Sequence, residues 1–215
     1  MSGGALLCSQ GEKAPREADN AVKQLEYLQY LVVTLGAREI REPHVRELQS
    51  LAVEGIYPCG GRYRDAKFGI EISQSEHVPP DASLVKPLIQ QMLEWCNSPQ
   101  YDALERAAFV LWRFNWIHPF AGGNGRTARA LSYLVLCMDF GEMLPGTRTI
   151  PGLIAKNRMG YIDALQAVDA SVRAVMRIAD GGTLTLPADN AFIRPMARYL
   201  GDLAVAQVRS AGVSS

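Results

Sequence analysis

Apolar side chains recur every three to four residues along most of this chain, which is the spacing of one face of an α-helix. The spacing predicts a first helix whose apolar side carries Val22, Leu25, Leu28, Val32 and Leu35. It predicts further helices over about 40–55, 81–95, 124–138, 151–175 and 187–208. The run from Ala103 to Ile117 is apolar nearly all round, so we expect it to form the central, buried helix. The predicted fold class is therefore all-α.

One short segment departs from helical spacing. Lys67 to Ser73 has the alternation of a strand, and Asp65 and Gly69 offer turns, so we expect a short β-hairpin within about 61–73. Residues 1–14 are expected to form a flexible start. Because 48% of the 215 residues are hydrophobic, the chain can bury one good core, and we expect residues 15–215 to form a single domain.

Charge and cysteine content narrow the classes of partner. Lysine and arginine total 22, as do aspartate and glutamate, so the formal net charge is zero. A balanced charge provides no general attraction to nucleic acid or to a membrane surface, and we expect neither as a partner. The four cysteines are widely spaced and form no metal-binding pair or disulfide framework, which is typical of reduced thiols. The expected location is the cytoplasm.

The most informative chemical pattern runs from His118 to Arg129 and reads His-Pro-Phe-Ala-Gly-Gly-Asn-Gly-Arg-Thr-Ala-Arg. Its three glycines let backbone N–H groups approach a ligand, so the turn can form an anion-binding concavity. The helix that begins near Asn124 would point the positive end of its dipole at the same place. Arg126 and Arg129 are three residues apart and can reach one polyphosphate from the same side. The pattern predicts a nucleotide site with His118 beside it as a base.

This string resembles the signature of the Fic family: His-Pro-Phe, any residue, an acidic residue, Gly-Asn-Gly-Arg, two free positions and Arg. The resemblance implies the Fic fold, a helical bundle with a short β-hairpin flap. It also implies that His118 is the general base toward a target hydroxyl, and that Asn124 and Arg126 complete the catalytic set. The implied nucleotide ligands are Gly123, Asn124 and Gly125 at the α-phosphate, and Arg126 and Arg129 at the outer phosphates.

One defined position departs from the family signature. Gly122 stands where family members carry the Asp or Glu that binds magnesium. Glycine has no side-chain oxygen, whereas Mg²⁺ requires a nearly octahedral set of oxygen ligands. We therefore name no metal ligand and expect Mg²⁺ to arrive with the substrate ATP, weakly anchored to the protein.

Three further segments are similar to parts of the family, and together with the signature they span about residues 40–165. Ser50-Leu-Ala-Val-Glu54-Gly55 resembles the inhibitory motif, in which Glu54 would pair with Arg129 and block the place of a γ-phosphate. Gly61-Arg-Tyr-Arg64 and the residues after it resemble the flap. There, Gly69, Ile70, Glu71 and Ile72 would dock the target segment. Tyr161, with Asn157 and Arg158, resembles the segment that closes over the nucleotide base.

The resemblance implies a protein adenylyltransferase that moves AMP from ATP onto a Ser, Thr or Tyr hydroxyl of a protein, and that Glu54 restrains. Two alternatives stay open. One is a non-catalytic module that binds nucleotide or protein, because Gly122 replaces the metal-binding acid; the other is a relative that transfers another phosphate-containing group. His118 beside both arginines favours an enzyme, whereas Gly122 favours the binding module. The expected partner is a protein substrate, with self-modification and assembly into a homo-oligomer left open.

Overall fold

The computed structural model describes residues 6–65, 77–173, 177–178, 184–187 and 189–212. Within them the α-helices are α1 (Gln10–Gln29), α2 (Glu42–Val53), α3 (Val85–Cys96), α4 (Ala103–Ile117), α5 (Asn124–Phe140), α6 (Ile150–Lys156), α7 (Arg158–Val172) and α8 (Arg194–Arg209). A π-helical turn, Tyr30–Thr34, extends α1, and 3-10 turns cover Ala82–Leu84, Ala191–Ile193 and Ser210–Gly212. Strands β1 (Arg177–Ile178) and β2 (Leu184–Thr185) pair antiparallel. The predicted all-α class is confirmed.

The core forms around α4, which has the bounds that its apolar run predicts. Asp102 caps its N-terminus, because the Asp102 carboxylate accepts from the Glu105 N–H while the Glu105 carboxylate accepts from the Asp102 N–H. Every residue from Ala107 to Phe114 is buried, and α4 packs against α3, α5 and α8. A helix held on several sides at interior packing density shifts only if its neighbours move. His118, at the end of α4, is therefore delivered to a defined place.

The face that α1 buries differs from the predicted apolar face. Val22 is 57% exposed, whereas Asn20 and Gln24 are buried. Gln24 Nε2 donates to the Leu48 carbonyl at 2.7 Å, and Asn20 Nδ2 donates to the Ala52 carbonyl at 3.4 Å. Side-chain amides thus reach backbone carbonyls of α2, which satisfies polar groups that α1 and α2 bury against each other. Polar side chains, and not the predicted apolar stripe alone, dock α1 on α2.

Several predicted boundaries differ from the structure. Helix α1 begins at Gln10, so residues 10–14 are helical and are not part of a flexible start. The single helix predicted over 151–175 is two helices, α6 and α7, which meet at Asn157. The last helix begins at Arg194 and not near Pro187. The hairpin strand predicted over 67–73 lies outside the described residues. Of the helices that the structure describes, none combines the length and the apolar character that crossing a membrane requires.

Candidate active site

His118 lies where α4 passes into the signature loop, and its backbone is left-handed (φ 49°, ψ 59°). It is the only non-glycine residue with positive φ in the part of the chain that the structure describes. This conformation costs an L-residue roughly 1–2 kcal/mol. Arg64 stabilises it from outside the loop: its guanidinium donates to the carbonyls of His118 (2.9 Å) and Ile117 (3.3 Å), and its backbone N–H donates to the Pro119 carbonyl (2.9 Å). The sequence predicts Arg64 only as part of the flap segment, whereas its contacts show that it supports the backbone of His118.

The His118 imidazole is a neutral base. Its Nδ1 lies 3.3 Å from the Asn115 carbonyl oxygen, so the proton is assigned to Nδ1 and the lone pair to Nε2. The pKa of His118 is lowered from 6.5 to about 4, chiefly by burial. The Asn115 hydrogen bond acts to raise it, and the nearby His77 and Arg64 act to lower it. At neutral pH the ring is therefore uncharged, and Nε2 can accept a proton.

Asn124 closes the signature loop. The residue is 2% exposed; its Nδ2 donates to the Phe120 carbonyl at 2.8 Å, and its Oδ1 accepts from the Phe120 N–H at 3.0 Å. We had expected this side chain to hold the α-phosphate. The structure instead directs both of its polar atoms to the backbone of Phe120, so Asn124 shapes the loop that presents the backbone N–H groups.

The loop packs directly on the C-terminal end of α2. Gly123 has φ 76°, and a Cβ there would lie 2.7 Å from Val53 Cγ1, so only glycine fits. Gln49 of α2, which is 2% exposed, donates from Nε2 to the Gly122 carbonyl at 3.0 Å and accepts at Oε1 from the Gly61 N–H. No sequence motif marks Gln49, and the available signal for it is an amide on the buried face of α2. Gln49 ties the signature loop to the chain that leads toward residue 65.

Arg126 forms an ion pair with a carboxylate that no sequence motif predicts. Its Nη1 donates to the Ala52 carbonyl at 2.5 Å, and its Nη2 lies 3.4 Å from Oε1 of Glu17 on α1. The Arg126 side chain is 16% exposed and the Glu17 side chain 36% exposed. Burial lowers the pKa of Arg126, whereas Glu17 and Tyr57 act to raise it. The Glu17 carboxylate thus lies beside the guanidinium group that the sequence predicts to bind a phosphate.

Arg129 lies one helical turn beyond Arg126, and within the described residues it makes no ion pair or hydrogen bond. Burial lowers the pKa of Arg129, and Tyr161, Arg126 and Glu17 are among the groups that act on it. Tyr161 itself is 6% exposed, and its hydroxyl accepts from Asn115 Nδ2 at 2.7 Å. Arg129 can therefore accept an anion, and Tyr161 forms a buried wall beside it.

Glu54 does not reach Arg129. Helix α2 ends at Val53, Glu54 turns the chain (φ −53°, ψ 128°), and its 56%-exposed carboxylate contacts Lys23 of α1. Gly55 follows with φ 67°. Ser50 lies beneath the next turn, since a Cβ on Gly60 would be 2.7 Å from Ser50 Oγ. The predicted pair of Glu54 with Arg129 is therefore absent, because the chain leaves α2 in the direction of α1.

The residues around Gly122 do not fit a magnesium ion. A Cβ on Gly122 would lie 3.1 Å from Cε2 of Tyr57, so an aromatic ring fills the space of the missing acidic side chain. Within the described residues no group of three His, Cys, Asp or Glu could hold a metal ion. Glu17 is paired with Arg126. Hard divalent cations require several oxygen ligands, and this loop presents guanidinium groups and a ring.

The base of the flap segment is joined to the signature loop. Tyr63 forms an antiparallel bridge with Phe120, and their rings lie 4.9 Å apart between centroids. The residues predicted to dock a target segment, Gly69, Ile70, Glu71 and Ile72, lie outside the described residues. Their docking role stays a prediction.

The signature loop lies within a region that is similar to known proteins. Residues 39–136 match the model of the Fic/DOC family. The chain is 35% identical over 117 residues to the protein adenylyltransferase Fic of Nematostella vectensis, covering 52% of this chain and 26% of the relative. It is 33% identical over 133 residues to the protein adenylyltransferase Fic of Aedes aegypti, covering 59% and 24%. The chain therefore spans only about a quarter of the length of these relatives.

Solved structures share the fold. A Fic domain containing signaling protein from Bacteroides thetaiotaomicron superposes with a TM-score of 0.70 at 21% identity, covering 97% of this chain and 77% of the other. Fic-1 from C. elegans superposes with a TM-score of 0.59 at 20% identity, covering 92% and 50%. The matched region contains the signature loop, its two arginines and the helix α4 that delivers His118. Residues 39–136 of this chain therefore match the Fic/DOC family in sequence, and the chain shares the fold of solved Fic proteins.

Proposed function

We propose that this chain is a protein adenylyltransferase that transfers AMP from ATP to a Ser, Thr or Tyr hydroxyl of a protein. One observation carries the proposal: a neutral imidazole, with Nε2 available, stands at the start of a loop whose helix carries Arg126 and Arg129. Family relatives named as protein adenylyltransferases support a transferase. Transfer to a target protein and the use of ATP by this chain belong to the proposal.

In the proposed reaction the hydroxyl oxygen of the target attacks the α-phosphorus of ATP. A new P–O bond forms, the bond to the oxygen that bridges to the β-phosphorus breaks, and pyrophosphate leaves. Nε2 of His118 takes the hydroxyl proton, which a base that is neutral at the working pH can do. The loop's backbone N–H groups stabilise the charge that grows on the α-phosphate, and Arg126 and Arg129 hold the outer phosphates.

The proposal includes restraint by a carboxylate. At 3.4 Å from Arg126, Glu17 is the acidic side chain that a phosphate must displace. Glu54, which the family resemblance proposes for this role, contacts Lys23 and would have to leave it before reaching Arg129. Glu17 is therefore the stronger candidate for the restraining group.

A second function, a module that binds nucleotide without transferring it, is favoured by one observation. The Tyr57 ring lies against Gly122, where the family signature has an acid. In a loop without the metal-binding acid, Arg126 and Arg129 would still bind the phosphates. Group transfer would be slow, because no side chain of the loop would anchor the metal ion. His118 distinguishes the two functions, because only transfer needs its base.

The test replaces His118 by Ala and His44, a histidine of α2 away from the loop, by Ala as the matched control. Each protein is incubated with labelled ATP, alone and with cell lysate, and adducts are located and weighed by mass spectrometry. Adenylylation predicts an AMP adduct that His118→Ala abolishes and His44→Ala retains, with ATP affinity unchanged within a few-fold in both. Equal labelling by His118→Ala would refute the general base. ATP binding without any adduct in the parent protein would favour the binding module, and another adduct mass would identify a different transferred group.

A further inference from the structure

One face of helix α1 carries a row of polar side chains that runs toward the candidate active site. Lys13, Glu17, Asn20 and Gln24 follow one another at intervals of three or four residues, so they share one face of the helix. Asn20 and Gln24 are bonded to backbone carbonyls of α2. Glu17 and Lys13 lie further toward the N-terminus of α1, where the row passes the signature loop. Glu17 pairs with Arg126 of α5, and Lys13 lies over Tyr57, so both charged groups contact residues outside α2.

Lys13 is placed by Tyr57. Its Nζ lies over the Tyr57 ring, 6.0 Å from the ring centroid, within the range of a cation–π contact. The same ring lies against Gly122, and Tyr57 also acts on Arg126 electrostatically. One phenol therefore connects a lysine of α1, the position that lacks the family acid, and the first signature arginine.

A cavity of about 180 Å³ adjoins this contact. Tyr57, Gly122 and Gln49 contribute to its walls together with Arg62 and Arg64, and the described residues that line it include no carboxylate. Arg64 is committed to backbone carbonyls of the loop. Arg62 is exposed and makes no ion pair or hydrogen bond with the described residues. Among the described residues, the charged groups that line the cavity are therefore guanidinium groups, which suit a phosphate and do not suit a divalent cation.

We propose that this site binds the phosphates of its nucleotide without a divalent cation, and that Lys13 and Arg62 supply the positive charge in its place. The proposal rests on nucleotide use as proposed above and names the residues that replace the metal. Two side-chain cations carry the same total charge as one divalent ion. Lys13 has a flexible stem that can carry its ammonium group from the Tyr57 ring to a phosphate oxygen, and Arg62 stands in the wall of the same cavity.

The test measures ATP affinity by calorimetry on the full chain, once with EDTA and once with excess Mg²⁺. The variants are Lys13→Met and Arg62→Met, which retain side-chain length and remove charge. Arg209→Met is the control, because Arg209 is an exposed cation at the C-terminal end of α8 and its side chain makes no ion pair or hydrogen bond with the described residues. Circular dichroism verifies that each variant is folded.

We expect ATP to bind with EDTA and with Mg²⁺ at affinities within about twofold. Lys13→Met and Arg62→Met should each weaken binding about tenfold in EDTA, equivalent to about 1.4 kcal/mol, since each removes a charge-assisted contact with a phosphate. Arg209→Met should match the parent. If ATP binds only with Mg²⁺ and neither variant weakens it, the proposal is overturned while nucleotide use stands. If ATP binds under neither condition, nucleotide use and this proposal both fail.

Discussion

Asn124→Asp tests whether the signature loop depends on the amide that closes it. The substitution retains shape and the acceptor for the Phe120 N–H, but it removes the Nδ2 donor that lies 2.8 Å from the Phe120 carbonyl. A buried carbonyl left without a donor costs roughly 1–3 kcal/mol, and here it also faces a carboxylate oxygen. The N-terminus of α5 offsets about 0.3–1 kcal/mol of this by favouring negative charge. We therefore expect a loss of about 2 kcal/mol in the free energy of unfolding.

The chain contains a matched control. Asn97 makes the same pair of bonds to one residue, with Oδ1 accepting from the Ile40 N–H at 2.9 Å and Nδ2 donating to the Ile40 carbonyl at 2.8 Å. Asn97→Asp should lose comparable stability without touching the loop. Urea denaturation gives the free energy of unfolding, and calorimetry gives ATP affinity.

Asn124→Asp should weaken ATP binding about tenfold, equivalent to about 1.4 kcal/mol, whereas Asn97→Asp should leave it within twofold. Undiminished stability in Asn124→Asp, combined with lost ATP affinity, would show that Asn124 contacts the ligand and does not brace the loop. Undiminished stability and affinity together would refute both roles.

Three further outcomes follow from the site. The folded pKa of His118 is about 4, below the ordinary 6.5, so the unfolded chain gains a proton first as pH falls. The free energy of unfolding should therefore fall by roughly 2–4 kcal/mol between about pH 6.5 and pH 4. In urea titrations, His118→Gln should show a weaker dependence on pH than the parent. The same pH dependence in both proteins would contradict the lowered pKa of His118. Glu17→Gln frees Arg126 and should tighten ATP binding about three- to tenfold by calorimetry, an unchanged affinity counting against Glu17 as the restraining group. Gly122→Asp alone should lose stability against the Tyr57 ring, whereas with Tyr57→Ala it should make ATP affinity depend on Mg²⁺; identical affinities with EDTA and Mg²⁺ in the double variant would refute the steric argument.

Features that depend on neighbours along the chain can be predicted from the sequence. The apolar run of α4 predicts its bounds, because a helix with no polar face must be buried wherever it lies. The order of His118, the glycines and Arg126 predicts a helix that begins just after a tight loop, because backbone hydrogen bonds and glycine dihedrals are local. The family followed from the same local string.

Which distant groups meet at the signature loop depends on how the helices pack. Val22 has the spacing of a buried residue but is exposed, because α1 docks through Asn20 and Gln24. Glu54 fits a motif but faces Lys23, whereas Glu17, in no motif that we recognised, pairs with Arg126. Contacts between helices depend on the angle and register at which they pack, and no spacing along one helix specifies these quantities.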